Sequence, residues 1–144
     1  MASPASQPRG SPSAVDTPPP AAAETPSTIV ARVVRSFGFA VQGIVTITWT
    51  QPNFVIHLVA AVAALGAGVL LRLTAPELAL IVLTIVVVLA TEALNTAIEA
   101  ACDVVSPAYH PLIKRAKDAS AAAVLIAAIG AVVIAALVFL PHVR

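Results

Sequence analysis

The stretch Leu78-Ala-Leu-Ile-Val-Leu-Thr-Ile-Val-Val-Val-Leu-Ala90-Thr91-Glu92-Ala-Leu-Asn95-Thr96-Ala-Ile-Glu99-Ala-Ala-Cys102-Asp103-Val-Val105 decides the fold. From Leu78 to Ala90 the only polar side chain is that of Thr84. A helix needs about 20 apolar residues to cross a bilayer, so 78–105 is expected to span one. Its second half then breaks the rule. Glu92, Asn95, Glu99 and Asp103 follow at spacings that place them on one side of a helix, with Thr91 and Thr96 near its edges. A charge at the centre of a bilayer costs at least about 2.5–3.5 kcal/mol. Such a stripe is either a seam that joins neighbouring helices through hydrogen bonds or a functional site. One Asn or Thr suffices for a seam. Three acidic groups repel one another and call for cations, a metal or protons, which favours the site.

Working outward, two further apolar stretches run over about 54–72, ending at Arg72, and about 119–140, before Pro141. In the 144-residue chain, hydrophobic residues make up 59% and charged residues 10%. Soluble domains carry about 25% charged residues, so the chain is expected to be an all-α membrane protein. Residues 28–50 are also expected to be helical, but Arg32, Arg35, Ser36 and Gln42 interrupt the apolar run. An amphipathic helix at the membrane surface fits, with the arginines near anionic headgroups and Trp49 at the interface. Gln51-Pro52-Asn53 then turns the chain into the bilayer. Residues 1–27 are rich in Pro, Ala, Ser and Thr and are expected to form a disordered tail; 28–144 is the membrane domain.

The cations set the orientation. Arg32 and Arg35 precede the first span, Lys114, Arg115 and Lys117 lie between the second and third, and Arg72 stands alone between the first and second. The positive-inside rule places the N-terminus and the 106–118 loop in the cytoplasm, and the Arg72 turn and the C-terminus outside. The polar stripe then faces the cytoplasmic side. Three spans and one surface helix make a thin bundle, which favours oligomers.

Several functions are excluded. The net charge of +1 argues against a nucleic-acid partner, which calls for a strongly basic face. Cys102 is the only cysteine; no intrachain disulfide is possible, and a small buried apolar role is expected. Gly38 and Gly43 have the separation of a phosphate-binding loop, but no Lys-Ser/Thr pair follows. No paired histidines and carboxylate occur at zinc-protease spacing. Gly66, Gly68 and Gly130 are expected to allow close helix approach.

Two smaller clusters remain. Tyr109-His110-Pro111 with Lys114, Arg115, Lys117 and Asp118 reads alone as an ordinary cytoplasmic loop. Beside an acidic stripe, it also suits a polyphosphate substrate. Asn53 and His57 stand four apart on one helix face; a hydrogen-bonded interface role and a ligand role are both open.

Glu92-Ala-Leu-Asn95-Thr-Ala-Ile-Glu99, Asp103, Tyr109-His110-Pro111, Ala116-Lys117-Asp118 and Ala121-Ala-Ala-Val-Leu125 together resemble the prokaryotic diacylglycerol kinase family, which includes undecaprenol kinases. The similarity covers about residues 32–140. It implies a homotrimeric lipid kinase of the plasma (inner) membrane that transfers phosphate from ATP to a lipid alcohol with Mg²⁺ at the cytoplasmic face. By position it implies that Glu92 is the catalytic base and Glu99 a metal- and nucleotide-binding carboxylate. Asn95 and Asp103 would line the same face. Arg32, Phe39, Gln51, Tyr109, His110, Lys117 and Asp118 would border or bind the nucleotide. Asn53-Phe-Val-Ile-His57 is similar to the segment of the undecaprenol kinase branch, so Asn53 and His57 are candidates for substrate contact. One position departs from the pattern. Gln51 stands where many relatives carry an acidic metal ligand, and an amide is the weaker Mg²⁺ ligand. This leaves a noncatalytic scaffold of the same fold as the alternative, with an ion pathway along the stripe as a further one.

Overall fold

The computed structural model describes residues 26–143. The tail expected over 1–27 lies, up to residue 25, outside the described residues, as does Arg144. Four long helices follow one another in this range: α1 (Pro26–Thr50), α2 (Pro52–Leu70), α3 (Ala75–Val105) and α4 (Pro111–Phe139), with a 3₁₀ turn over Leu140–His142 closing the last. Proline opens every one. Pro26, Pro52 and Pro111 take the first helical position and Pro76 the second. N–H groups in a first turn have no intrahelical acceptor, so proline loses nothing there, and its fixed φ favours entry into the helix.

The helix boundaries differ from expectation most at α4. It starts at Pro111, so Lys114, Arg115, Lys117 and Asp118 stand on its first two turns, leaving 106–110 outside any helix. Local chemistry explains the early start. His110 caps the helix, its Nδ1 accepting from the Leu112 N–H at 3.2 Å, and Lys114 forms an ion pair with Asp118 one turn on. The cations expected on a loop are thus held in helical register.

The α2–α3 connection is tight. Arg72 adopts a left-handed conformation (φ 57°), its N–H donates to the Val69 carbonyl, and the Leu73 N–H reaches back to the Gly68 carbonyl at 3.0 Å. This is a Schellman stop. The Leu73 side chain covers Gly68, where an added Cβ would stand 3.1 Å from Leu73 Cδ1. Gly66 and Gly130 have nothing within 4 Å of such a Cβ among the described residues, so the close approach expected at all three glycines occurs here only at Gly68. At the start of α3, both the N–H and the hydroxyl of Thr74 donate to the Glu77 carboxylate, at 2.8 and 2.6 Å, closing the helix end.

Helices α3 and α4 pack antiparallel. Asp103 meets Lys117 at one end, Asn95 meets Ser120 in the middle, and Glu77 meets His142 at the other end, 3.6 Å apart. An apolar cavity of about 330 Å³ lies among α2, α3 and α4, bordered by His57, Ala61, Thr84, Val88, Ala128 and Ala131. The buried apolar set is small (Phe54, Ala61, Ile81, Val88, Cys102, Val124 and Val138), while Val59, Leu83, Leu125, Val132 and many other large apolar side chains face outward. In water each Å² of such surface would cost about 25 cal/mol; among lipid chains it costs nothing.

Two units are distinguished, dividing within α1: one ends at Ser36 and the other begins at Phe37. Side chains 28–46 of α1 are exposed. Length and composition suit all four long helices to crossing a bilayer, Thr28–Thr50 included.

Candidate active site

Helix geometry brings Glu92, Asn95 and Glu99 onto the side of α3 that α4 covers in part. Glu92 is 2% exposed and Asn95 8%, Glu99 is half-buried, and Asp103, one turn further, is exposed. The stripe therefore passes from buried to open along the helix. Thr96 donates to the Glu92 carbonyl at 3.1 Å, so its hydroxyl serves the backbone.

Three side chains form a connected chain. The Asn95 amide donates from Nδ2 to Glu99 Oε1 at 3.1 Å. The Ser120 hydroxyl on α4 donates to Asn95 Oδ1 at 2.6 Å and also lies 2.9 Å from the Lys117 carbonyl. Ser120 is 8% exposed. It is absent from the residues expected in the sequence. The available signal was slight: one hydroxyl within Ala119–Ala123, one turn past Lys117.

Past this chain the acidic stripe meets cations. Lys117 Nζ donates to Asp103 Oδ1, and a pocket of about 290 Å³ is bordered by Asp103, Tyr109, His110, Lys114, Lys117 and Asp118. The end of α3, the 106–110 connection and the first turns of α4 thus bring together Asp103, Tyr109, His110, Lys117 and Asp118, expected near a nucleotide or on its face, with Lys114 of the same cationic cluster. His110 has a second task there as the α4 cap.

Other expected residues stand elsewhere. Gln51 is half-buried at the N-cap position of α2, in extended conformation and with no side-chain hydrogen bond to the helix end. Asn53 is exposed on the first turn of α2. His57 borders the apolar cavity, not the polar pocket. Phe39 is exposed on α1, in the unit that begins at Phe37, whereas Arg32 belongs to the unit that ends at Ser36. Cys102 is a buried free thiol, the apolar role expected of it. Among the described residues, no three His, Cys, Asp or Glu side chains gather into a group able to hold a metal by themselves.

The chain is thus a helical membrane protein that carries a buried carboxylate, a second carboxylate hydrogen-bonded by an amide, and a pocket bordered by lysines on one pair of helices. The comparisons with known proteins define it further. The family model described as prokaryotic diacylglycerol kinase matches residues 38–139. A protein named undecaprenol kinase from Bacillus subtilis is 42% identical over 110 residues, covering 76% of this chain and 89% of that relative. One named diacylglycerol kinase from Synechocystis is 41% identical over 114 residues, covering 78% of this chain. The match spans 65% of that relative's own length. A diacylglycerol kinase from Escherichia coli is 34% identical over 102 residues, 71% of this chain and 84% of the relative. The chain belongs to the prokaryotic diacylglycerol kinase family.

Proposed function

We propose that this chain is a lipid kinase that transfers the γ-phosphoryl group of ATP to the hydroxyl of a membrane lipid alcohol, undecaprenol or diacylglycerol. The observation that carries this reading is the buried Glu92 one turn from the hydrogen-bonded Asn95–Glu99 pair, in a chain of this family. Phosphoryl transfer asks a protein mainly for positioning and charge neutralisation. Glu92 accepts the proton of the attacking lipid hydroxyl. Lys117, with Tyr109, His110 and Asp118 around the same pocket, receives the polyphosphate, and Phe39 borders the nucleotide.

The donors suit Mg²⁺, a hard cation usually held by one or two carboxylates together with substrate phosphates. Glu99 offers such a carboxylate: its Oε1 accepts from Asn95, and its second oxygen takes no hydrogen bond from a described residue. Gln51 offers an amide oxygen, the weaker ligand. When bound, Mg²⁺ supplies charge neutralisation on the phosphates.

The membrane domain comprises 28–144. In this reading α1 lies at the interface, its Arg32 and Arg35 near anionic headgroups, and α2, α3 and α4 span the plasma membrane with the N-terminus and the 106–110 connection in the cytoplasm. The outward apolar faces of this thin bundle fit a homotrimer. Radiolabelled ATP offered with undecaprenol and diacylglycerol at equal membrane fraction tests the activity and ranks the lipids. Asn53-Phe-Val-Ile-His57 favours undecaprenol. Gln51 favours one second reading, a noncatalytic scaffold of the same fold, and transfer to neither lipid is its expected result.

A further inference from the structure

We infer that Ser120 is a positioning residue: its hydroxyl fixes the Asn95 amide, and through it the Glu99 carboxylate, in the orientation that receives the metal–nucleotide complex. The inference rests on the kinase reading given above.

An Asn amide has two ends that differ chemically, and its neighbours decide which way it points. Two contacts bear on Asn95. Ser120 Oγ lies 2.6 Å from Oδ1, and Glu99 Oε1 lies 3.1 Å from Nδ2. Turned the other way, the amide oxygen would face the Glu99 carboxylate oxygen with no proton between them. Glu99 and Ser120 therefore select the same orientation, and proton donation runs in one direction, from α4 through Asn95 to Glu99.

Ser120 contributes what Glu99 cannot. Asn95 is 8% exposed, and its Oδ1 faces α4, where the Ser120 hydroxyl meets it. Without that hydroxyl, Oδ1 is a buried acceptor lacking a donor. A buried polar atom without a partner is costly, so the side chain turns to find one. Turning withdraws Nδ2 from Glu99, and the carboxylate loses the hydrogen bond that holds one of its oxygens and leaves the other open to a cation. The Lys117 carbonyl, 2.9 Å from the same hydroxyl, offers the competing role, a bond back to the helix's own backbone that would leave Asn95 unaffected.

Ser120→Ala and Ser120→Thr separate the two roles. The first removes the donor, and the second keeps a hydroxyl on the same carbon. Binding of Mn²⁺ in the presence of a non-hydrolysable ATP analogue is read from the electron paramagnetic resonance of unbound Mn²⁺, with the full chain in detergent. Thermal unfolding and Mg²⁺-dependent lipid phosphorylation are measured on the same preparations. S120A is expected to weaken Mn²⁺ binding and to raise the Mg²⁺ half-saturation about three- to tenfold, the range of one hydrogen bond. Turnover at saturating Mg²⁺ should change by less than about twofold, and S120T should restore affinity. S120A affinity within about twofold of wild type, with or without a loss of thermal stability, assigns Ser120 to helix packing and overturns the inference. S120T that folds and binds no better than S120A overturns it too. Wild-type protein that phosphorylates neither lipid overturns instead the kinase reading on which the inference depends.

Discussion

Replacing Glu92 by glutamine separates chemistry from folding. Glu92 is 2% exposed, so truncation to alanine would leave a cavity and confuse lost packing with lost catalysis. Glutamine keeps volume and shape and removes only the ability to take a proton. A positioned general base contributes about 10²- to 10⁴-fold, which is about 2.7–5.4 kcal/mol of barrier at 1.36 kcal/mol per tenfold. Glu92→Gln is therefore expected to lower turnover about 10²- to 10⁴-fold. The KM for ATP should hold near wild type, because the residues around the cation-lined pocket and the Asn95–Glu99 pair are untouched. Its thermal midpoint should not fall, since a neutral amide is easier to bury than a carboxylate. The assay is transfer of radiolabelled phosphate to lipid in mixed micelles at saturating ATP, paired with thermal unfolding. Turnover above about a tenth of wild type would remove Glu92 from the role of base. Lost activity with a collapsed thermal midpoint would refute the view that the site tolerates a neutral isostere.

Gln51→Glu is expected to lower the Mg²⁺ concentration for half-maximal activity several-fold, because it adds a carboxylate where the amide is the weaker ligand; an unchanged Mg²⁺ titration would place residue 51 away from the metal. Arg72→Gly should raise stability by up to about 1 kcal/mol, the left-handed penalty of an L-residue less the entropy of glycine; chemical or thermal unfolding in one detergent checks it, and a lower midpoint would show that the Arg72 side chain itself stabilises the turn. Topology is tested by single cysteines in a Cys102→Ala background: Arg72→Cys should react with a membrane-impermeant maleimide in intact cells, and Pro107→Cys only after lysis. The reverse pattern would invert the orientation.

Hydropathy and helical period are local properties, so the residues alone show that the chain is helical and belongs in a membrane. Leu78–Ala90 has one polar residue, and no fold in water could cover the three long apolar runs. The same period put Glu92, Asn95, Glu99 and Asp103 on one face. It could not show that α4 begins at Pro111, since a cationic segment reads equally as loop or as helix start until the His110 cap and the Lys114–Asp118 pair are seen. Nor could it rank the stripe by burial. Glu92 and Asn95 are enclosed, whereas Asp103 is exposed although it meets Lys117 of α4. Only the tertiary structure placed Ser120 against Asn95, twenty-five residues away in the chain, and set His57 on the apolar cavity instead of the polar pocket. The physical reason is the same in each case. A helix's face follows from its own residues, but what that face meets depends on the register of a second helix, which no local pattern encodes.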